Sequence, residues 1–286
     1  METITSDETE LTRAGFVWRE KDGVRVAVCA PLEHEGFANA FSTRLGGVSP
    51  MPHAALNLAG FDEDAAENIH ENRRRFLRLV DGEWTLAVCW QVHSADVRVV
   101  RDAEDARSDE DRCDGLITRT PRVLLGVKSA DCVPVILGDV RTGACASVHA
   151  GWRGTVAGIV PRALERMRVE FGTDQTDVRV AIGPAALACC YEVGHEVIDA
   201  FRERFADADQ LLTPTREGHA RIDLHLANRR QLIETGVSAE RIHAAPLCTM
   251  CRSDLFFSYR REKNIYGRTG RLLSVIGRAG KAKVKR

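Results

Sequence analysis

Three short apolar runs crowded into residues 123–149 constrain this chain more than any other feature. "VLLGV" (123–127), "VPVIL" (133–137) and "ACASVH" (144–149) are five or six residues long, built mainly from Val, Ile, Leu and Ala, and separated by Gly and Asp. Runs this short, bounded by turn residues, predict buried strands. The period then changes. In "TVAGIVPRALERMRVEFG" the residues Val156, Ile159, Val160, Ala163, Leu164, Met167 and Phe171 fall at helical spacing with charges between them, which predicts an amphipathic helix. Pro161 either kinks that helix or marks its first turn, and Gly172 is its expected stop. "VRVAIGP" (178–184) predicts a further strand. "HEVIDAFRERF" and "DLHLANRRQLIETG" predict amphipathic helices, the second capped by Asp223, and "RIHAAP" predicts a short strand. Strands and helices mix without strict alternation, so the expected fold is a single α/β domain with a mixed sheet and helices on its outer faces.

The chain has 286 residues, 44% hydrophobic and 28% charged. That is enough to bury a core without disulfides or a structural metal. We expect a disordered segment over residues 1–15, one domain over 16–276 and a basic tail over 277–286. Forty Lys and Arg against 41 Asp and Glu leave a net charge of −1, which makes no case for nucleic acid or a membrane surface as partner. The first residues lack an apolar signal segment and no stretch is long enough to span a bilayer. A cytoplasmic location and nine reduced cysteines are therefore expected.

The end of the third run carries the chemistry. "VHAGWRG" (148–154) places His149 at a strand end, followed by Gly151, Trp152, Arg153 and Gly154. The glycines permit close approach; a helix start and an arginine together suit an anion, although the alternative is a structural turn. If "VPVIL" and "ACASV" form a hairpin, Cys132 and His149 return to the same sheet edge. A thiolate and an imidazole suit zinc, and His93, in "CWQVHSADV", also follows an apolar run. Two His and one Cys with an open fourth position have the composition of a catalytic zinc site. The competing reading is a hydrogen-bonded strand-end histidine and a small core thiol. Asp131 reads either as an acid–base group or as a strand cap. "CTMC" (248–251) lacks a second CxxC, and Cys189–Cys190 is a vicinal pair, so these four read as packing or local thiols rather than a zinc ribbon.

Taken together, "FSTRLGGVS", "WQVHSADV", "CDGLIT", "SADCVPVIL", "VHAGWRGT", "IGPAALACCYEVG", "DLHLANRRQL", "LCTMC" and "FFSYRREKNIYGR", in this order from about 41 to 268, resemble the laccase-domain family. Its members were first described as multicopper polyphenol oxidases, later as purine nucleoside phosphorylases with adenosine deaminase activity, and in some bacteria as a peptidoglycan editing factor. The resemblance implies a layered α/β sandwich of mixed sheets and a metal held by His93, Cys132 and His149, zinc or copper. It implies that Arg44 and the Gly151, Trp152, Arg153, Gly154 turn face substrate or phosphate. It places Asp131, Cys189, Glu192, Ser258 and Arg260 near the same cleft. The segment "REKNIYGRTGR" departs slightly from the family pattern.

The activity this implies is phosphorolysis of adenosine, inosine, guanosine and methylthioadenosine, with deamination of adenosine, so the expected partners are purine nucleosides and phosphate. Two other readings use the same residues. A copper polyphenol oxidase of the multicopper type needs many imidazoles, and this chain has nine His and no H-x-H pair. A cysteine hydrolase acting on cell-wall precursors would use Cys132 as nucleophile and His149 as base.

Overall fold

The computed structural model describes residues 6–50, 55–60, 64–108 and 111–280. Two six-stranded mixed sheets dominate. The first runs in the order Phe16–Lys21, Val24–Cys29, Phe37–Ser42, Leu272–Arg278, Val123–Ser129, Thr85–Ala87. The second runs Ile242–Ala244, Val178–Ile182, Val133–Asp139, Cys145–Ala150, Gly115–Thr118, Val97–Val99. The first has one parallel pair, at one edge, and the second a parallel pair at each edge; every other neighbour is antiparallel. A small antiparallel sheet of Glu192–Gly194, His219–Ile222 and Leu212–Pro214 flanks them.

The period-two alternation of side chains explains the layering. In Val133–Asp139, the side chains of Val133, Val135 and Leu137 join one core with Ile159, Val160, Ala163 and Met167 of the helix Ile159–Phe171. Ile136 faces the other way and joins Phe37, Phe41, Leu125 and Ile276 between the sheets. On the far side, Val26, Val28, Leu273 and Val275 pack under Phe76 of the helix Ala66–Leu77. The result is a helix, sheet, sheet, helix sandwich. Each fully buried aliphatic side chain contributes about 1.5–3 kcal/mol, so strands buried on both faces dominate the stability.

The strands and helices expected from 123 to 246 form, with ends shifted by at most two residues in all but one helix. Asp223 caps its helix by accepting from Leu226 N at 2.8 Å, and Gly172 ends another in the left-handed conformation (φ 69°). One helix differs from expectation. The segment after "GWRG" is a five-residue helix, Trp152–Val156, separated from Ile159–Phe171 by Gly158 at φ 75°. Pro161 lies in the first turn of the second helix, where its missing N–H needs no partner. The expected disorder over 1–15 also requires correction: Ser6–Arg13 is helical, because Leu11 packs into the inter-sheet core. Residues 1–5 lie outside the described part. The last strand extends to Arg278, two residues into the expected tail, and residues 281–286 lie outside the described part.

Candidate functional site

The hairpin of Val133–Asp139 and Cys145–Ala150 pairs Pro134 with His149 and Val133 with Ala150. Cys132 and His149 therefore emerge at the same end. His93 arrives from the loop after Thr85–Ala87. One ligand-type atom from each of His93, Cys132 and His149 lies within 4.8 Å of the others. His93 Nε2 is 3.9 Å from Cys132 Sγ, and the two imidazoles meet edge to face at 5.0 Å between ring centres. Close approach is possible because residue 151 is glycine. A Cβ there would sit 3.0 Å from Cys132 Sγ and 3.2 Å from His93 Cδ2.

Asp114 organises this trio. It is fully buried. Its Oδ1 accepts from His149 Nδ1 at 2.8 Å and His93 N at 3.0 Å. Its Oδ2 accepts from Val92 N at 3.1 Å and Ser94 N at 2.7 Å. Its carbonyl accepts His149 N at 2.7 Å. These bonds hold His93 at φ 59°, a region sparsely used by residues with a side chain. Binding Nδ1 of His149 fixes its tautomer and leaves Nε2 for a metal. In the sequence Asp114 stands within "CDGLIT" with nothing to mark it as functional. Its signal is an aspartate directly before a buried strand, which by itself reads as a turn.

The electrostatics suit a cation. Burial disfavours the Cys132 thiolate, yet the charge and hydrogen bond of His149, with those of His93, outweigh it and lower the thiol to about 6. Burial likewise disfavours charge on His149, but Cys132 and Asp114 lift it to about 9. Asp114 is held below the ordinary carboxylate range: burial opposes this, but the hydrogen bond and charge of His149 and the backbone donors prevail. A soft N₂S donor set with a deprotonated sulfur and a carboxylate behind one imidazole fits zinc, and also copper.

The trio borders a cavity of about 490 Å³ lined also by Trp90, Gln91, Lys128, Ser129, Ala130, Tyr259 and Arg271. Gln91 secures one wall: its amide donates to Lys128 O at 2.6 Å and accepts from Lys128 N at 2.7 Å. Trp90 and Tyr259 are partly open to solvent, at 52% and 40% exposure. Lys128, Arg271, Trp90 and Tyr259 carried no role in the sequence reading, because they converge from four separate segments.

The remaining expected site residues divide. Asp131, at φ 89°, is buried and accepts from Thr249 Oγ1 (2.7 Å), Ser258 Oγ (3.0 Å) and Arg260 N (2.8 Å). Burial raises its carboxyl above the ordinary value despite these donors. It clamps the start of the helix Tyr259–Tyr266 beside the cavity. Arg260 also donates to Glu192 O at 3.0 Å and covers the Tyr191 ring. The Glu192 carboxylate is engaged by Thr215 and Arg216. Arg44 is not at the cavity: it is buried, pairs with Glu262 at 2.7 Å and donates to Ser253 O and Phe256 O. Arg153 lies over the Trp152 ring at 4.1 Å and pairs with Glu196 at 3.0 Å; neither Trp152 nor Arg153 lines the cavity. Gly154 packs against the loop that carries His93, with a would-be Cβ 3.2 Å from Ser94 O. Cys189 belongs to a separate thiol group, with Cys190, Cys248 and Cys251.

This sandwich with a histidine–cysteine centre at the ends of two central strands defines a known class. The family model described as multi-copper polyphenol oxidoreductase laccase matches residues 38–279, and the chain belongs to that family. A purine nucleoside phosphorylase of Bacteroides thetaiotaomicron is 36% identical over 251 residues, covering 85% of this chain and 92% of that protein. The adenosine deaminase RL5, from an unknown prokaryotic organism, is 34% identical over 249 residues, covering 80% and 91%. The crystal structure of YlmD from Geobacillus stearothermophilus superposes with a TM-score of 0.84 at 34% identity, covering 93% of this chain and 99% of that one. Among the described residues no helix is long and apolar enough to cross a membrane.

Proposed function

We propose that this protein is a zinc-dependent purine nucleoside enzyme, cleaving adenosine, inosine, guanosine and methylthioadenosine with phosphate and deaminating adenosine. The observation that carries this reading is the convergence of His93, Cys132 and His149 on a cavity also lined by Lys128, Arg271, Trp90 and Tyr259. The names of the relatives support the same chemistry.

His93, Cys132 and His149 would hold the metal, which when bound supplies Lewis acidity and a lowered pKa for attached water. Trp90 offers a ring face to a purine, and Tyr259, whose ring lies under Lys263 Nζ at 4.7 Å, lines the cavity beside it. Lys128 and Arg271 bind and screen phosphate as one of its oxygens attacks ribose C1′ and the C1′–N9 bond breaks. Gln91 holds Lys128 in place. Asp131 acts through Ser258 and Arg260, keeping the Tyr259 helix against the cavity. The multicopper reading lacks ligands: among the described residues only one candidate metal group contains histidine.

A second reading has one observation in its favour. A thiol near 6 beside an imidazole near 9 is also a thiolate–imidazolium pair able to attack a carbonyl. Zinc-loaded protein incubated with inosine separates the two. Phosphate-dependent hypoxanthine, abolished by chelation and restored by zinc, with the phosphate KM raised in Lys128→Met, supports the nucleoside enzyme. No purine release from any nucleoside, with turnover of cell-wall peptides by chelator-treated protein, supports the hydrolase.

A further inference from the structure

The described residues contain a second group with metal-ligand chemistry, on a different part of the molecule. Cys189 and Cys190 sit in the turn after the strand Val178–Ile182, and Cys248 and Cys251 sit in the turn after Ile242–Ala244. Those strands are parallel neighbours, so both turns leave the sheet at the same end. The backbone then ties them together: Ala185 N donates to Leu247 O at 3.3 Å and Thr249 N to Ala185 O at 2.9 Å. Each turn is closed by its own bond, Cys190 N to Leu187 O and Arg252 N to Cys248 O, both 3.0 Å. The tight first turn lets two sequence neighbours present their sulfurs to one point.

All four Sγ atoms lie within 4.8 Å of one another. Cys190 and Cys251 are 3.1 Å apart, and Cys189 and Cys251 3.5 Å. A tetrahedral zinc with bonds of about 2.3 Å places its sulfurs about 3.8 Å apart, inside the range these thiols span. Core packing does not account for the group, since Cys189 and Cys251 are exposed while Cys248 is buried. A small cavity of about 250 Å³ lies alongside, lined by Cys189, Cys248, Cys251, Pro246 and Arg252 among others.

We propose that Cys189, Cys190, Cys248 and Cys251 form a tetrathiolate site for a soft divalent cation of the zinc type, separate from the histidine–cysteine centre. Four thiolates select zinc over hard cations such as magnesium and calcium. The closed ligand set makes the site structural. It staples the two turns, and through Thr249, whose hydroxyl donates to Asp131 Oδ1 at 2.7 Å, it fixes the residue next to Cys132. The vicinal pair and the CxxC are thus the two halves of one ligand set, a pairing that a search for two CxxC motifs does not find.

Cobalt titration of reduced full-length protein, followed by absorbance and by metal analysis, tests the site. Wild type is expected to bind two ions per chain. Cys132→Ala is expected to retain one, with the intense thiolate-to-metal charge transfer and d–d bands of a tetrahedral tetrathiolate. Cys251→Ser, and separately Cys189→Ser, are expected to weaken that ion at least tenfold while leaving the first. Zinc should displace the cobalt and bleach the bands. A single ion per wild-type chain without tetrathiolate bands overturns the proposal without recourse to any variant; a single ion with those bands leaves the proposal standing and counts instead against the histidine–cysteine centre. A Cys132→Ala protein without tetrathiolate bands, or an intact mass showing that the four thiols purify as disulfides, also overturns the proposal.

Discussion

Replacing Asp114 by Asn perturbs the centre without touching a ligand. The carboxylate accepts four hydrogen bonds, two on each oxygen. An amide of the same shape keeps one oxygen and turns an NH₂ toward the other two donors. A stranded buried donor costs about 1–3 kcal/mol; these donors are only part-buried, so the variant should lose about 1–3 kcal/mol in all, read by urea unfolding of the metal-free protein. Where the amide oxygen keeps the bond to His149 Nδ1, that bond loses its charge, and because a carboxylate partner of this kind is worth about 10–100-fold in metal affinity, zinc affinity should fall by up to that factor, read by competition against a chelator. The acid limb of the stability profile should also flatten. Because the carboxyl is lowered from 3.8 on folding, its contribution is complete above 3.8 and disappears as pH falls through the lower folded value. A variant within about 0.5 kcal/mol of wild type, the scatter expected of neutral surface changes, and with unchanged zinc affinity would refute the role given to Asp114.

Three further outcomes are expected. Gly151→Ala places a methyl 3.0 Å from Cys132 Sγ, so zinc affinity should fall about tenfold or more, of the order seen when ligand support is lost, with the circular dichroism spectrum unchanged. In metal-free protein the Cys132 thiolate persists down to about pH 6. Iodoacetamide labelling of Cys132, followed by peptide mass spectrometry, should therefore be half-maximal near pH 6, while Cys29 and Cys145, pushed up to about 12 by burial, stay unlabelled at neutral pH. Arg44→Ala leaves Glu262 buried without its partner, a loss of about 3–5 kcal/mol; denaturant unfolding should show it.

The part of the centre carried by one hairpin was legible in the sequence. Two apolar runs separated by a turn bring Cys132 and His149 to one end, whatever surrounds them. His93 was legible only as a third ligand-type residue after an apolar run, because its place depends on a loop held by Asp114. The resemblance alone turned Arg44 toward substrate or phosphate; in the fold the arginine points inward onto Glu262, 218 residues away. The strands Phe16–Lys21 and Val24–Cys29 were not legible, since Arg19, Glu20, Lys21 and Arg25 interrupt their apolar pattern. The thiol group was hidden because parallel pairing of two strands about 60 residues apart decides which turns meet.

The central claim is that the His93, Cys132 and His149 centre turns over purine nucleosides. Zinc-loaded wild type and Cys132→Ala would be incubated with adenosine, with and without phosphate, and the products resolved by liquid chromatography and mass spectrometry. The account predicts adenine and ribose-1-phosphate only with phosphate, inosine without it, and neither from Cys132→Ala. Unchanged adenosine from the wild type, or equal products from the variant, would contradict it.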